Sequence, residues 1–357
     1  AGGAMTRLLV KSNNWEALRG PGNVVVREED HGDLWEPYKP LDGGSRIAMK
    51  TQLAVPQPGQ GVFSNEQTDP PGTVTRGPVV SEFKISHAFG NQGTFATTVR
   101  LYANLRRIDV RTQILNQDQF VRYRVLFPTA IQDGQSVHEI PFGSIQRPAA
   151  IEFPAQNWID YGNGQQGLAL LNRGLPGNTV SEGTMMLSLL RSTRIVAYGF
   201  GGGYEPGMSS DSGLQLGKEF TFDYALVPHA GDWRQAAIYR EGLEFNQPLL
   251  ACTLSEHPGP LPNHWGLLEI APRNVVLTAL KPGPDGTAVL RVYEADGVPT
   301  KTTIRLSTPI VAAEEVNLME DAGPQRTVTD NTLQFDLRAF EIKTFKLRLG
   351  PGRTASR

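Results

Sequence analysis

The stretch from Leu214 to Asn246, LQLGKEFTFDYALVPHAGDWRQAAIYREGLEFN, constrains the fold more than any other part of the chain. Phe220, Phe222, Tyr224 and Leu226 fall on every second position, which in an extended chain puts all of them on one face against a core. A strand is therefore predicted. Pro228 has no amide proton for a ladder and Gly231 permits a tight turn, so the strand is expected to stop near Val227 and the chain to reverse. Asp232 is the expected N-cap of a helix, with Gln235 at the capping-box spacing. Trp233, Ala236, Ala237 and Arg240 would then share one side of it, the Arg240 stem lying along the apolar stripe. His229 in the turn has no accompanying catalytic motif. It is expected to hold the reversal by bonding a backbone carbonyl, so His229, Asp232 and Trp233 together form a structural motif.

The same period of two recurs along the chain. Between Thr97 and Ile114 apolar residues occupy odd positions at Val99, Leu101 and Leu105, then even ones at Ile108, Val110 and Ile114. The change of phase near Arg106 requires a bulge or a turn there. Val121, Tyr123, Val125 and Phe127 alternate again up to Pro128. Short alternating strands separated by turns point to an all-β chain built of antiparallel sandwiches, and no alternation of strands with helices favours a doubly wound or barrel fold. Glycine and proline, 38 and 26 of 357 residues, supply the turns. That length exceeds one ordinary core, so two units are expected. The PGPLPNH run from Pro258 to His264 is the expected boundary, dividing a large β-sandwich over 1–258 from a small one over 264–350, with 351–357 a loose tail. In the small unit, strands are expected around Val275–Ala279, Val289–Tyr293, Thr303–Leu306, Leu333–Leu337 and Phe345–Leu349. Asp285-Gly286 and Asp296-Gly297 mark the turns.

The net charge of −2 gives no electrostatic reason to expect nucleic acid or anionic lipid. No run approaches the roughly 20 apolar residues of a membrane-spanning helix, and no membrane partner is expected. Cys252 is the single cysteine, which excludes an internal disulfide and a thiolate metal cluster. It reads as a small buried apolar residue, and the lack of disulfides tilts the expectation toward a reducing compartment, the cytoplasm. His138 and Glu139 are adjacent, so on a strand they face opposite sides and cannot serve each other as acid and base. Gly201–Gly203 do not precede a helix in the phosphate-loop pattern.

The run YALVPHAGDW, Tyr224 to Trp233, resembles a segment of the large β-domain that follows the catalytic domain in glycoside hydrolase family 38 α-mannosidases. Further runs resemble that family in its order: GGAMTRLLVKSNNWEAL from Gly2, GNVVVREEDHGDLWE from Gly22, IPFGSIQRP from Ile140, AQNWIDYGNGQQGLALLNRG from Ala155 and LSLLRS from Leu187. FNQPL from Phe245, NVVLTALKPGPDGTAVLRVYEADG from Asn274 and FEIKTFKLRL from Phe340 complete the series. The resemblance implies a galactose mutarotase-like supersandwich followed by a small closing β-sandwich. It also implies that the catalytic machinery lies in an N-terminal domain that this chain does not include. There, zinc would hold the mannose of a glycan substrate and an aspartate would form a covalent intermediate, with net retention. The implied partner is that catalytic domain, and the chain itself is expected to hold no cofactor and no catalytic residue.

His31 and Asp33 form a His-x-Asp pair. The family's zinc pair is followed by Pro-Gly-Trp, whereas Leu34, Trp35 and Glu36 follow here, and nothing near supplies a second histidine, so no metal is expected. Asp30, His31, Asp33 and Trp35 are instead expected to face the catalytic domain, since carboxylates accept from sugar hydroxyls and an indole covers a pyranose face. Tyr204 and Glu205, in the Gly- and Ser-rich loop 199–213, are the other candidates for a place near substrate, although no family residue aligns with either. The alternatives are a stand-alone sugar-binding module, a mutarotase-like enzyme using a histidine acid and a carboxylate base, and an architectural scaffold.

Overall fold

The computed structural model describes residues 2–30, 61–67, 69–193, 195–199, 205–209, 213–256, 258 and 264–351. The chain divides into two compact units, one of Ala1–Ile140 with Ile145–Pro248, the other of Pro141–Ser144 with Leu249–Arg357.

In the first unit a nine-stranded and a six-stranded sheet share one core. From one edge, the larger sheet runs Gly143–Arg147, Gln135–Ile140, Trp158–Gly162, Gln166–Asn172, Lys218–Ala230, Ile108–Asn116, Gly93–Tyr102, Val80–Phe89 and Thr73–Arg76. The smaller runs Phe153–Pro154, Gly177–Ser181, Thr184–Ser192, Val121–Pro128, Val24–Glu29 and Val62–Phe63. Val110, Ile114, Phe222, Tyr224 and Leu226 of the larger sheet meet Val25, Tyr123, Val125, Phe127 and Leu187 of the smaller. The row that alternates through Phe222, Tyr224 and Leu226 is thus the core face of a central strand, as its period requires. The Tyr224 hydroxyl, which burial would otherwise leave unpaired, bonds Thr112 Oγ1 and Asn23 Oδ1, each at 2.7 Å. The change of phase near Arg106 is a turn between the strands Gly93–Tyr102 and Ile108–Asn116.

The strand does not stop near Val227. It runs from Lys218 to Ala230 and takes Pro228 into its ladder. The Gly231 amide bonds the Gln165 carbonyl at 2.8 Å, which makes the odd residues of this stretch the hydrogen-bonded pairs. Pro228, opposite Leu168, therefore turns its nitrogen toward the other neighbour, and that pairing has already ended at Leu226 and Ile108. No ladder bond is lost there.

The helix does not begin at Asp232 either; it spans Ile238–Asn246. The capping-box bonds do form, Gln235 N to Asp232 Oδ1 at 2.9 Å and Asp232 N to Gln235 Oε1 at 3.2 Å. They close a turn that Ala237, left-handed at φ 53° and ψ 46°, separates from the helix proper. Packing decides this: Trp233, Ala236 and Ala237 are buried, and the Trp233 ring lies 5.3 Å from that of Trp158. Turn and helix thereby cover the side of the large sheet that faces away from the core, so Leu168–Leu171 and Tyr224–Val227 are buried on both faces.

The second unit is a sandwich of a four-stranded and a five-stranded sheet around Val275, Leu290, Ile304, Leu333, Phe345 and Leu347. The fully buried Glu294 carboxylate accepts from the amides of Asp296, Gly297, Val298 and Phe340, which fixes the Asp296-Gly297 turn. Cys252 is exposed, contrary to the buried position expected for it. The residues from Leu249 to Glu256 belong to no strand or helix and are exposed, so no core surrounds the thiol.

Candidate functional site

The side of the six-stranded sheet that faces away from the core carries the densest set of functional side chains. Val24, Val26 and Glu28 alternate outward on one strand, and Leu126, Arg124 and Arg122 lie opposite them on the next. On the third strand, Met186 and Ser188 stand opposite Leu126 and Arg124, and Arg191 opposite Arg122 after a shift of register at Ser188/Leu190. The face therefore grades from apolar to ionic along the strands.

At the ionic end the cations and anions are matched. Arg124 grips Glu28 through Nε at 2.7 Å and again through Nη2, and Arg122 Nη2 lies 2.6 Å from Glu152. Ser188 donates to the second Glu152 oxygen at 3.0 Å. Arg191 holds Asp30 through two bonds of 2.8 and 2.9 Å. Burial lowers the Arg124 guanidinium to about 10, aided by the repulsion of Arg122 and opposed by Glu28. Such pairs define a geometry more than they stabilise it, because desolvation offsets most of the attraction.

At the apolar end lies an open groove of about 620 Å³. Val24, Leu126, Met186 and Phe63 form its floor, with Asn65, Glu66, Ser181, Glu182 and Thr184 around the rim.

A second polar site is closed. His229 Nε2 and Asp160 Oδ1 lie 2.7 Å apart with both side chains buried, reaching each other across Gly167 on the strand between them. Burial pushes the Asp160 carboxyl up, and His229 pulls it down. On the other side of the ring, a backbone carbonyl, that of Ala230, lies 3.4 Å from Nδ1. His138 and Glu139 each find their own surroundings: His138 Nε2 is 3.0 Å from Ser136 Oγ, and Glu139 accepts from the Asn157 amide at 2.6 Å.

Of the residues singled out in the sequence, Asp30 is buried in its ion pair with Arg191. His31, Asp33, Trp35 and Tyr204 lie outside the described residues, and of Glu205 only the backbone is described, at the start of the strand Glu205–Ser209. Asp232 and Trp233 belong to the capped turn. Reading by pattern missed Glu28, Arg122, Arg124, Glu152 and Arg191. A signal for two of them is visible in retrospect, because Arg122 and Arg124 alternate with the core positions Val121, Tyr123 and Val125 and so must share the opposite face. Among the described residues no group of three or more His, Cys, Asp or Glu side chains could hold a metal ion, so no step of zinc chemistry is assigned to them.

The model of the glycosyl hydrolases family 38 C-terminal domain matches residues 3–195, more than half of the chain. The chain belongs to glycosyl hydrolase family 38. The model of that family's C-terminal beta sandwich domain matches residues 274–345, within the second unit. Among relatives, this family 38 chain is 32% identical to alpha-mannosidase 2C1 of Mus musculus over 242 residues, 63% of the chain and 22% of the relative. It is 27% identical to alpha-mannosidase G of Dictyostelium discoideum over 271 residues, 71% of the chain and 23% of the relative. The chain thus spans less than a quarter of the length of these two relatives. An alpha-mannosidase from Enterococcus faecalis V583 has the same fold, with a TM-score of 0.74 at 17% identity over 97% of this chain and 40% of that one.

Proposed function

We propose that this family 38 chain is the noncatalytic β-portion of an α-mannosidase-like, retaining glycoside hydrolase, packing on a zinc-dependent N-terminal domain and completing its sugar cleft. The observation that carries the reading is the match to the C-terminal domains of the family, with relatives named α-mannosidases of which the chain spans less than a quarter. The buried carboxylates support it. Glu28, Asp30, Glu152 and Asp160 are each held by an arginine or a histidine, a structural use that leaves them poorly placed as nucleophile or acid for a sugar. Nucleophile, acid and zinc are therefore assigned to the domain that precedes this one.

Hydrolysis of an aryl α-mannoside by the full-length gene product and by this chain alone tests the reading. The full-length protein is expected to turn over, to keep the anomeric configuration and to lose activity with a chelator, while the chain alone stays at the buffer rate. Enzyme-like turnover by the chain alone, abolished by substituting its own carboxylates, would overturn the assignment.

A further inference from the structure

From the groove on the six-stranded sheet we infer a noncatalytic sugar-binding site in this chain. The site rests on the groove itself, and on the α-mannosidase reading only for the choice of probe. A volume of about 620 Å³ falls within the range of small-ligand sites, about 300–1,000 Å³. Its floor and rim have the two characters of a pyranose, which presents apolar C–H faces and a polar edge of hydroxyls. Val24, Leu126 and Met186 make a flat apolar floor because each sits at the same level of three neighbouring strands. Phe63 adds an aromatic ring from the strand beside them.

The rim is polar and rich in acceptors. Glu66 and Glu182 supply two exposed carboxylates, and Asn65, Ser181 and Thr184 add an amide and two hydroxyls. Arg19 reaches this rim and bonds two of its neutral acceptors. Its Nη2 donates to the Glu182 carbonyl at 2.5 Å and to Thr184 Oγ1 at 3.1 Å, which leaves the Thr184 proton free to be donated to a ligand. With two carboxylates among the described lining residues against the one guanidinium of Arg19, the rim carries a net negative charge that disfavours phosphate, carboxylate and nucleotide ligands. A neutral polyhydroxylated chain fits, its hydroxyls donating to Glu66 and Glu182 while a ring face rests on Phe63. The apolar end of the sheet face is thus the binding end, and ion pairs occupy the rest of it.

Calorimetric titration of the chain with α-linked mannotriose tests the site. Saturable heat is expected. It should disappear in Ser181→Trp, whose indole would fill the groove from the rim, and affinity should fall about tenfold or more in the Glu66→Gln, Glu182→Gln double variant. Unchanged thermal unfolding midpoints would show that both variants fold, since all three positions lie on the surface rim. Absence of heat with the parent chain, or heat that survives in Ser181→Trp, would overturn the site. Hydrolysis of an aryl α-mannoside by the full-length protein is a separate readout, so either result can fail without the other.

Discussion

Burial acts in opposite directions on the two neighbours His138 and Glu139. Desolvation lowers the His138 imidazole from 6.5 to about 4, with Arg147 assisting and a bond at Pro154 opposing. Desolvation raises the Glu139 carboxyl from 4.5 to about 7, against the bonds from Asn157. The consequences for stability have opposite sign. The folded chain holds more protons than the unfolded one at Glu139 between pH 4.5 and about 7, so this residue's contribution is lost as pH rises through that window. At His138 the unfolded chain holds more protons between about 4 and 6.5, so that contribution grows as pH rises. Where the windows overlap, the two slopes cancel. In Glu139→Gln the free energy of unfolding, relative to the parent, should climb by about 3 kcal/mol from pH 4.5 to 7, because the falling Glu139 contribution is removed while the His138 contribution is common to both. Urea titrations at several pH values would measure it, and parallel curves for variant and parent would count against the assignment. That the two side chains cannot work as a pair follows from their adjacency on a strand, and this was legible in the sequence. That both are buried was not, because burial of a polar residue depends on what the fold places over it.

At the scale of elements, the His229–Asp160 bond depends on the strand between its partners. A Cβ on Gly167 would lie 2.4 Å from His229 Cε1 and 3.2 Å from Asp160 Oδ1, so only glycine lets the two side chains meet. Gly167→Ala should destabilise the chain by about 1–3 kcal/mol by forcing the buried imidazole off its carboxylate. Chemical denaturation would read the loss, and a variant as stable as the parent would show that the site accommodates the methyl. The Phe220–Leu226 alternation was sufficient to place this strand, since a period of two survives in any sheet. Its end at Ala230 was not legible, because proline stops a strand only where a partner needs its amide, and the partner beyond Leu226 is missing. The capping box likewise formed as its residues predict, yet the burial of Trp233 and Ala236 held the next residue, Ala237, outside the helix.

For the whole molecule, the outward charges of the six-stranded sheet are met by protein groups, and among the described residues no group of three or more His, Cys, Asp or Glu side chains could hold a metal ion. A chelator should therefore leave the thermal unfolding midpoint of this chain unchanged, as differential scanning calorimetry would show. A lowered midpoint would reveal a structural metal site and remove the division of labour proposed with the preceding domain. Alternation of side chains, turn residues and ordered runs shared with family 38 were sufficient, by themselves, to determine an all-β chain and its kinship, because strand periodicity and motif order are properties of the chain written in one dimension. Only the tertiary structure decided which polar residues meet. Arg191 finds Asp30, His229 finds Asp160, and Arg124 finds Glu28 across long spans of sequence. The reason is register: which residues stand opposite one another is set by how strands distant in sequence align in a sheet, and no local pattern encodes that alignment.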